Sequence, residues 1–229
     1  MRYLLFVIFS LFSFSISAST FPTEPYISVT GNASLEVEAD QVMITFQAYA
    51  IEENGEQAKE TVDQKIASLL KNLKKSGFKS DYLETISQSS RPEYDFQKNQ
   101  RSLLGIRVIH RLRYRLTDIS RVNDFLNAVF SAQIESISAF KYGLQNPQQW
   151  QGKVRKIAVL DSKQKAQDLA HLYGAKLGNV YSITYTNNYS QPVLNRAMEM
   201  TSDTVDIKPQ NILLKDRVNT VFMLLPVSN

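Results

Sequence analysis

RKIAVLDSKQKAQDLAHLYGAKLGNVYSI, residues 155–183, reads as an alanine-rich helix that stops at a glycine and turns straight into a strand. Ala158, Asp161, Ala166, Leu169, Ala170 and Tyr173 recur at helical spacing. Gly174 can take the left-handed conformation that closes a helix. Leu177, Gly178 and Val180 then open a strand. A helix delivered onto a strand in this way needs a sheet to lie on, so the neighbouring segments decide the fold class.

Upstream, two sets alternate as half-buried strands do: Ile27, Val29, Ala33, Leu35, Val37, then Val42, Ile44, Phe46, Ala48, Ala50. Glu38-Ala39-Asp40 forms the turn between them. From about Glu53 to Ser76, Ala58, Val62, Ile66, Leu69, Leu70 and Leu73 make the apolar stripe of a helix, and Gly77 stops it. Strands are expected over 82–94 and 103–116, with a polar loop at 95–100. Asp118 or Ser120 caps a short helix, a strand covers 136–144, and Pro147 opens the long helix. The last strand, 218–227, is apolar on both faces and should be central. Strand–helix–strand thus occurs twice, over 42–94 and 103–144. The pattern predicts an α+β fold, a mainly antiparallel sheet with helices packed on one face.

Arg2 followed by an apolar run to about Ile16 and then Ser17-Ala18-Ser19 is the order of a secretory signal, assigned to 1–19. The run is too short to span a bilayer, so no integral membrane protein is expected after cleavage. Residues 20–229 are expected to form one domain, with 191–214 a flexible insertion before the last strand. The chain has no cysteine, which excludes disulfides, thiol redox chemistry, thiolate metal sites and lipid attachment. A net charge of +4 with interspersed signs argues against a nucleic-acid surface. These readings place the protein in the periplasm, with association to the outer membrane as a further expectation.

No catalytic constellation is apparent. There is no Gly-x-Ser-x-Gly elbow and no glycine-rich phosphate loop. His110 and His171 lack a second ligand at metal spacing, so neither a metal nor a cofactor is expected. Met43, Met198 and Met200 are candidates for oxidation to sulfoxides. The candidate binding residues are Arg107, Arg111, Arg113 and Arg115, which share one parity on a strand, with Val108, His110, Leu112, Tyr114 and Leu116 on the other. Such a stripe is either a solvated face matched by acids on neighbouring strands or a surface for anions or subunits, lipid headgroups and an envelope protein included. A second reading, an enzyme or ligand-binding protein, requires a pocket between helices and sheet near Arg107, His110 and Tyr114.

Several landmarks occur in a set order: Val29-Thr30-Gly31, Asp40, Ser87, Arg91-Pro92-Glu93-Tyr94, Leu104-Gly105-Ile106-Arg107-Val108, Lys165-Ala166, Leu169-Ala170, Gly174, Leu177-Gly178 and Val180. In these the chain resembles the SIMPL-domain family, and within it the YggE-like oxidative-stress-defence proteins and the related periplasmic immunogenic protein. The likeness spans about 26–226, with Ala39 where the family commonly has proline and Ile106 where it commonly has tyrosine. It implies a periplasmic or outer-envelope protein linked to oxidative-stress defence, with a tendency to assemble into homo-oligomers of ring or channel type; with no catalytic constellation apparent, the protein is expected to be non-catalytic. The resemblance supplies no catalytic residues.

Overall fold

The computed structural model describes residues 22–97, 100–134, 136–186, 193–194 and 211–226. The expected signal at 1–19, Met198, Met200 and most of the insertion at 191–214 lie outside them. The elements are β1 (Tyr26–Glu38), β2 (Gln41–Glu52), α1 (Gly55–Lys75), β3 (Leu83–Gln97), β4 (Gln100–Leu116), α2 (Val122–Phe130), β5 (Ser136–Gly143), α3 (Pro147–Leu172), β6 (Ala175–Thr184), β7 (Val193–Leu194) and β8 (Asn211–Pro226). The fold is α+β, as the periodicity predicts. The expected single sheet is two: β3-β4-β2-β5, and β1-β8-β6 with β7 beside β8. The expected β1–β2 turn therefore joins strands of different sheets. Ala39 is buried there, and the Asp40 carboxylate accepts from the Gln145 backbone N–H at 2.6 Å.

By contacts the chain divides into two compact units. One holds 22–31, 159–186 and 217–226; the other holds 32–158, 193–194 and 211–216.

In the second unit β2 is antiparallel to both β4 and β5, and β3 is antiparallel to β4. It follows that β2 and β3 run parallel with β4 between them, and β4 and β5 run parallel with β2 between them. The two strand–helix–strand repeats are thus split βαβ units, each inserting a strand into the other, the β-α-β-β-α-β arrangement of ferredoxin-like folds. Period-two alternation sends Val42, Ile44, Phe46, Ala48 and Ala50 of β2 to one face. Val108, His110, Leu112, Tyr114 and Leu116 of β4 join them. Onto that face α1 brings Ala58, Val62, Leu69 and Leu73, and α2 brings Val122, Phe125, Ala128 and Val129. Phe125 stacks on Tyr114 at 4.6 Å and meets Phe46 and Phe78 edge-on at 6.0 and 5.8 Å. Asn54 caps α1, its side chain accepting from the Gln57 N–H at 3.0 Å.

In the first unit α3 ends where Gly174 adopts φ 66°, and β6 begins at once. Ala166 packs with Val29 and Phe222, while Tyr173, just past the end of α3, is exposed. β8 lies between β1 and β6, the central position expected of the last strand.

Candidate functional site

The outer face of the four-stranded sheet is set by the residues of opposite parity. Its rows across the register are Arg115–Met43–Lys141, Glu84–Arg113–Thr45–Ala139, Ser87–Arg111–Gln47–Ser136, Ser89–Ile109–Tyr49 and Arg91–Arg107–Ile51. Side chains two apart on one strand stand roughly 7 Å apart. The four arginines named from the sequence all fall on this face, and Arg91 of β3 and Lys141 of β5 join them. Sequence parity could not find these two, because only the register places them in the same rows.

The arginines are not equivalent. Arg107 is neutralised: its Nε and Nη2 donate to the two Glu93 carboxylate oxygens at 2.9 and 3.0 Å. These hydrogen bonds first, and then the charges of Arg107 and Arg91, hold the Glu93 carboxyl below its ordinary range. The same bonds raise Arg107. Its guanidinium also lies over the Tyr49 ring at 4.8 Å. Arg115 stacks over Tyr82 at 4.7 Å. Arg111 and Arg113 have no ion pair or hydrogen bond among the described residues. Their cross-strand neighbours are Ser87, Gln47 and Thr45, with Glu84 the one acid in register. One acid, Glu93, therefore neutralises the Arg107 end, while at the centre two guanidinium groups face a single carboxylate, Glu84, with no ion pair formed.

The inner face holds no assembled chemistry. Arg107 and His110 point to opposite faces, so the set Arg107, His110 and Tyr114 does not converge. His110 is buried between Ala48 and Gln88 in the register, and His171 sits in the last turn of α3. The Tyr114 hydroxyl donates to the Lys79 carbonyl at 3.0 Å, and burial pushes its phenol up. The helix–sheet interior that a ligand pocket would occupy is filled by Phe46, Phe78, Tyr114 and Phe125. Among the described residues no group of three or more His, Asp or Glu is placed to hold a metal. A depression of about 590 Å³ lies along α1 between Glu56 and Ala67, on the helix surface. No described helix is long and apolar enough to cross a membrane.

Two of the sequence landmarks have structural duties instead. Asp40 holds Gln145, whose side-chain amide also donates to the Asp40 and Thr117 carbonyls at 2.8 and 3.3 Å. Gly105 adopts φ 148° where β4 passes the end of β2, and a Cβ there would stand 2.2 Å from the Glu52 carbonyl oxygen.

A split-βαβ sheet with helices filling one face and a row of arginines on the other defines a class of α+β domain. Residues 27–222 match the family model SIMPL, described as a protein of unknown function (DUF541), and the chain belongs to that family. It is 29% identical over 218 residues to the protein named "Uncharacterized protein YggE" of Edwardsiella ictaluri, covering 92% of this chain and 91% of that one. To its namesake in Escherichia coli K12 it is 26% identical over 217 residues, covering 92% and 87%.

Proposed function

We propose that this SIMPL protein is a non-catalytic component of the bacterial periplasm that acts by contact. In this reading it assembles into homo-oligomers and supports defence against oxidative stress. The observation that carries the contact reading is the centre of the outer sheet face. Arg111 and Arg113 stand there without an ion pair among the described residues, Arg111 beside Ser87 and Gln47 and Arg113 between Thr45 and Glu84, with which it makes no ion pair. Planar guanidinium groups in such a row bind carboxylates or phosphates with paired hydrogen bonds. The partner is then an acidic patch of an envelope protein or anionic headgroups at the membrane surface. The periplasmic location rests on the charge, apolar run and small-residue order of the first 19 residues. The stress role rests on the resemblance to the YggE-like proteins.

The test is a deletion strain challenged with peroxide and complemented with the Arg111→Ala, Arg113→Ala double variant. Loss of protection, with the variant exported and folded as the parent is, supports the reading. Full rescue removes the cationic face from it. Native mass spectrometry of the purified protein tests assembly, and a strict monomer at high concentration ends that part of the proposal.

A further inference from the structure

β3 is an edge strand of the four-stranded sheet, hydrogen-bonded to β4 alone among the described residues. Every residue from Glu84 to Pro92 is exposed. Folded proteins protect such edges with inward charges, prolines or short strands, because open N–H and C=O groups recruit a further strand. Between Glu84 and Arg91 this edge carries none of these: Thr85-Ile86-Ser87-Gln88-Ser89-Ser90 is uncharged and free of proline. Its one protecting feature is a single bulge, which twists an edge locally. Thr85 opposes Leu112 and Ser87 opposes Arg111, so Ile86 is the extra residue.

The two ends of the run carry opposite charges, and both stand without an ion pair among the described residues. Arg91 is in addition directly opposite Arg107, a like-charge pair that costs stability, and the Glu93 carboxylate that lies nearby is committed to Arg107. A carboxylate arriving from outside would relieve it.

The register says where such a carboxylate can come from. With Ile86 set aside, the run is Glu84, Thr85, Ser87, Gln88, Ser89, Ser90, Arg91, and Gln88 is its midpoint. Glu84, Ser87, Ser89 and Arg91 share the outer face; Thr85, Gln88 and Ser90 share the inner one. An antiparallel copy turned about a two-fold axis at Gln88 then pairs Glu84 with Arg91, Thr85 with Ser90 and Ser87 with Ser89. Each pair has both members on one face, as a continuous sheet requires. Two reciprocal Glu84–Arg91 ion pairs form. The other edge, β5, offers no such match: Ser136–Gly143 carries Lys141 and no acid.

We propose that β3 is the self-association surface, and that a second copy of this chain adds its own β3 antiparallel across a two-fold axis at Gln88 to make one eight-stranded sheet. This rests on the assembly proposed above and names the surface that produces it. Such an isologous contact closes as a dimer, and larger rings would use a second surface.

The chain contains no cysteine, so a single introduced thiol reports one contact. Gln88→Cys on the axis brings two thiols within disulfide reach, and mild oxidation of the purified protein should cross-link it. In Ser90→Cys the two thiols are four positions apart along the strand, roughly 13 Å, beyond the ~7 Å limit for Cα atoms. Its dimer yield should be at least about 10-fold lower by that geometry. Glu84→Arg alone and Arg91→Glu alone should each weaken the dimer about 10-fold, since each puts two like-charge pairs in register. Mixing the two variants should restore association, as a heterodimer with both pairs complementary. A misfolded variant could not give that recovery. Equal cross-linking of both cysteine variants, or no recovery on mixing while the parent still assembles, overturns the β3 register and leaves assembly standing. A parent that stays monomeric at high concentration overturns both.

Discussion

Replacing Gly105 with alanine should be among the most damaging single-methyl additions in the protein. The backbone there has φ 148°, in a region that residues with a side chain scarcely enter. Holding alanine in it costs about 1–3 kcal/mol. The new methyl would also lie 2.2 Å from the Glu52 carbonyl oxygen and 2.9 Å from its carbon, both backbone atoms. No rotamer can relieve this, so β4 must withdraw from the end of β2. The pairing lost first is Glu52 with Ile106, worth about 1 kcal/mol for its hydrogen bond. Together these give about 2–4 kcal/mol, or a urea midpoint lower by about 1–2 M at a slope near 2 kcal/mol per M. Gly152 is the internal control. It lies inside α3 with nothing within 4 Å of an added Cβ, so Gly152→Ala should stabilise by about 0.5–1 kcal/mol. Urea unfolding followed by circular dichroism reads both. A Gly105→Ala midpoint within about 0.2 M of the parent would show that β4 does not depend on this close approach, and the reasoning would be refuted.

Phe125→Ala empties the centre of the aromatic cluster shared with Phe46, Phe78 and Tyr114, and should cost about 3–5 kcal/mol in the same assay. A loss under 1 kcal/mol would mean the helix–sheet interior collapses freely. The Glu93 carboxyl is held low by Arg107, so its stabilisation is present above the unfolded carboxylate value of about 4.3 and is lost as pH falls through the folded value. Glu93→Gln should therefore lower Tm at pH 7 and flatten its fall between about pH 5 and 3; parallel acid limbs would contradict the pair. Burial raises Tyr114, so the stability it contributes is present below the unfolded tyrosine value of about 10 and is lost as pH rises past it. Tyr114→Phe should flatten the alkaline limb of Tm above about pH 10, and an unchanged limb would assign that loss to other groups.

Periodicity alone located most elements. The alternation in 42–50 appears in β2 with the expected residues buried, and the helical stripe of 58–73 appears in α1 with Ala58, Val62, Leu69 and Leu73 buried, Ile66 half-buried and Leu70 exposed. The family landmarks carried the fold as well, because they record turns and close approaches, as at Gly174 and Gly105, which are local backbone requirements. The candidate face was half visible. Parity put four arginines together, yet it could not say that Glu93 neutralises Arg107 while Arg111 and Arg113 make no ion pair among the described residues. The split into two sheets was also hidden. Glu38-Ala39-Asp40 looks like a hairpin turn, and a turn carries no information about which sheet its second strand joins.

What the sequence determined by itself was the kind of object: strands and helices in order, a core face on each, no thiol chemistry, and a basic strand. Those follow from side-chain period and composition, which act over a few residues. Adjacency was settled by long-range packing. Arg91 came beside Arg107, Glu84 beside Arg113, and β3 to an open edge because β4 and β2 took the inner positions of the sheet. Strand order is chosen by the burial of all faces at once, and no local pattern encodes that choice.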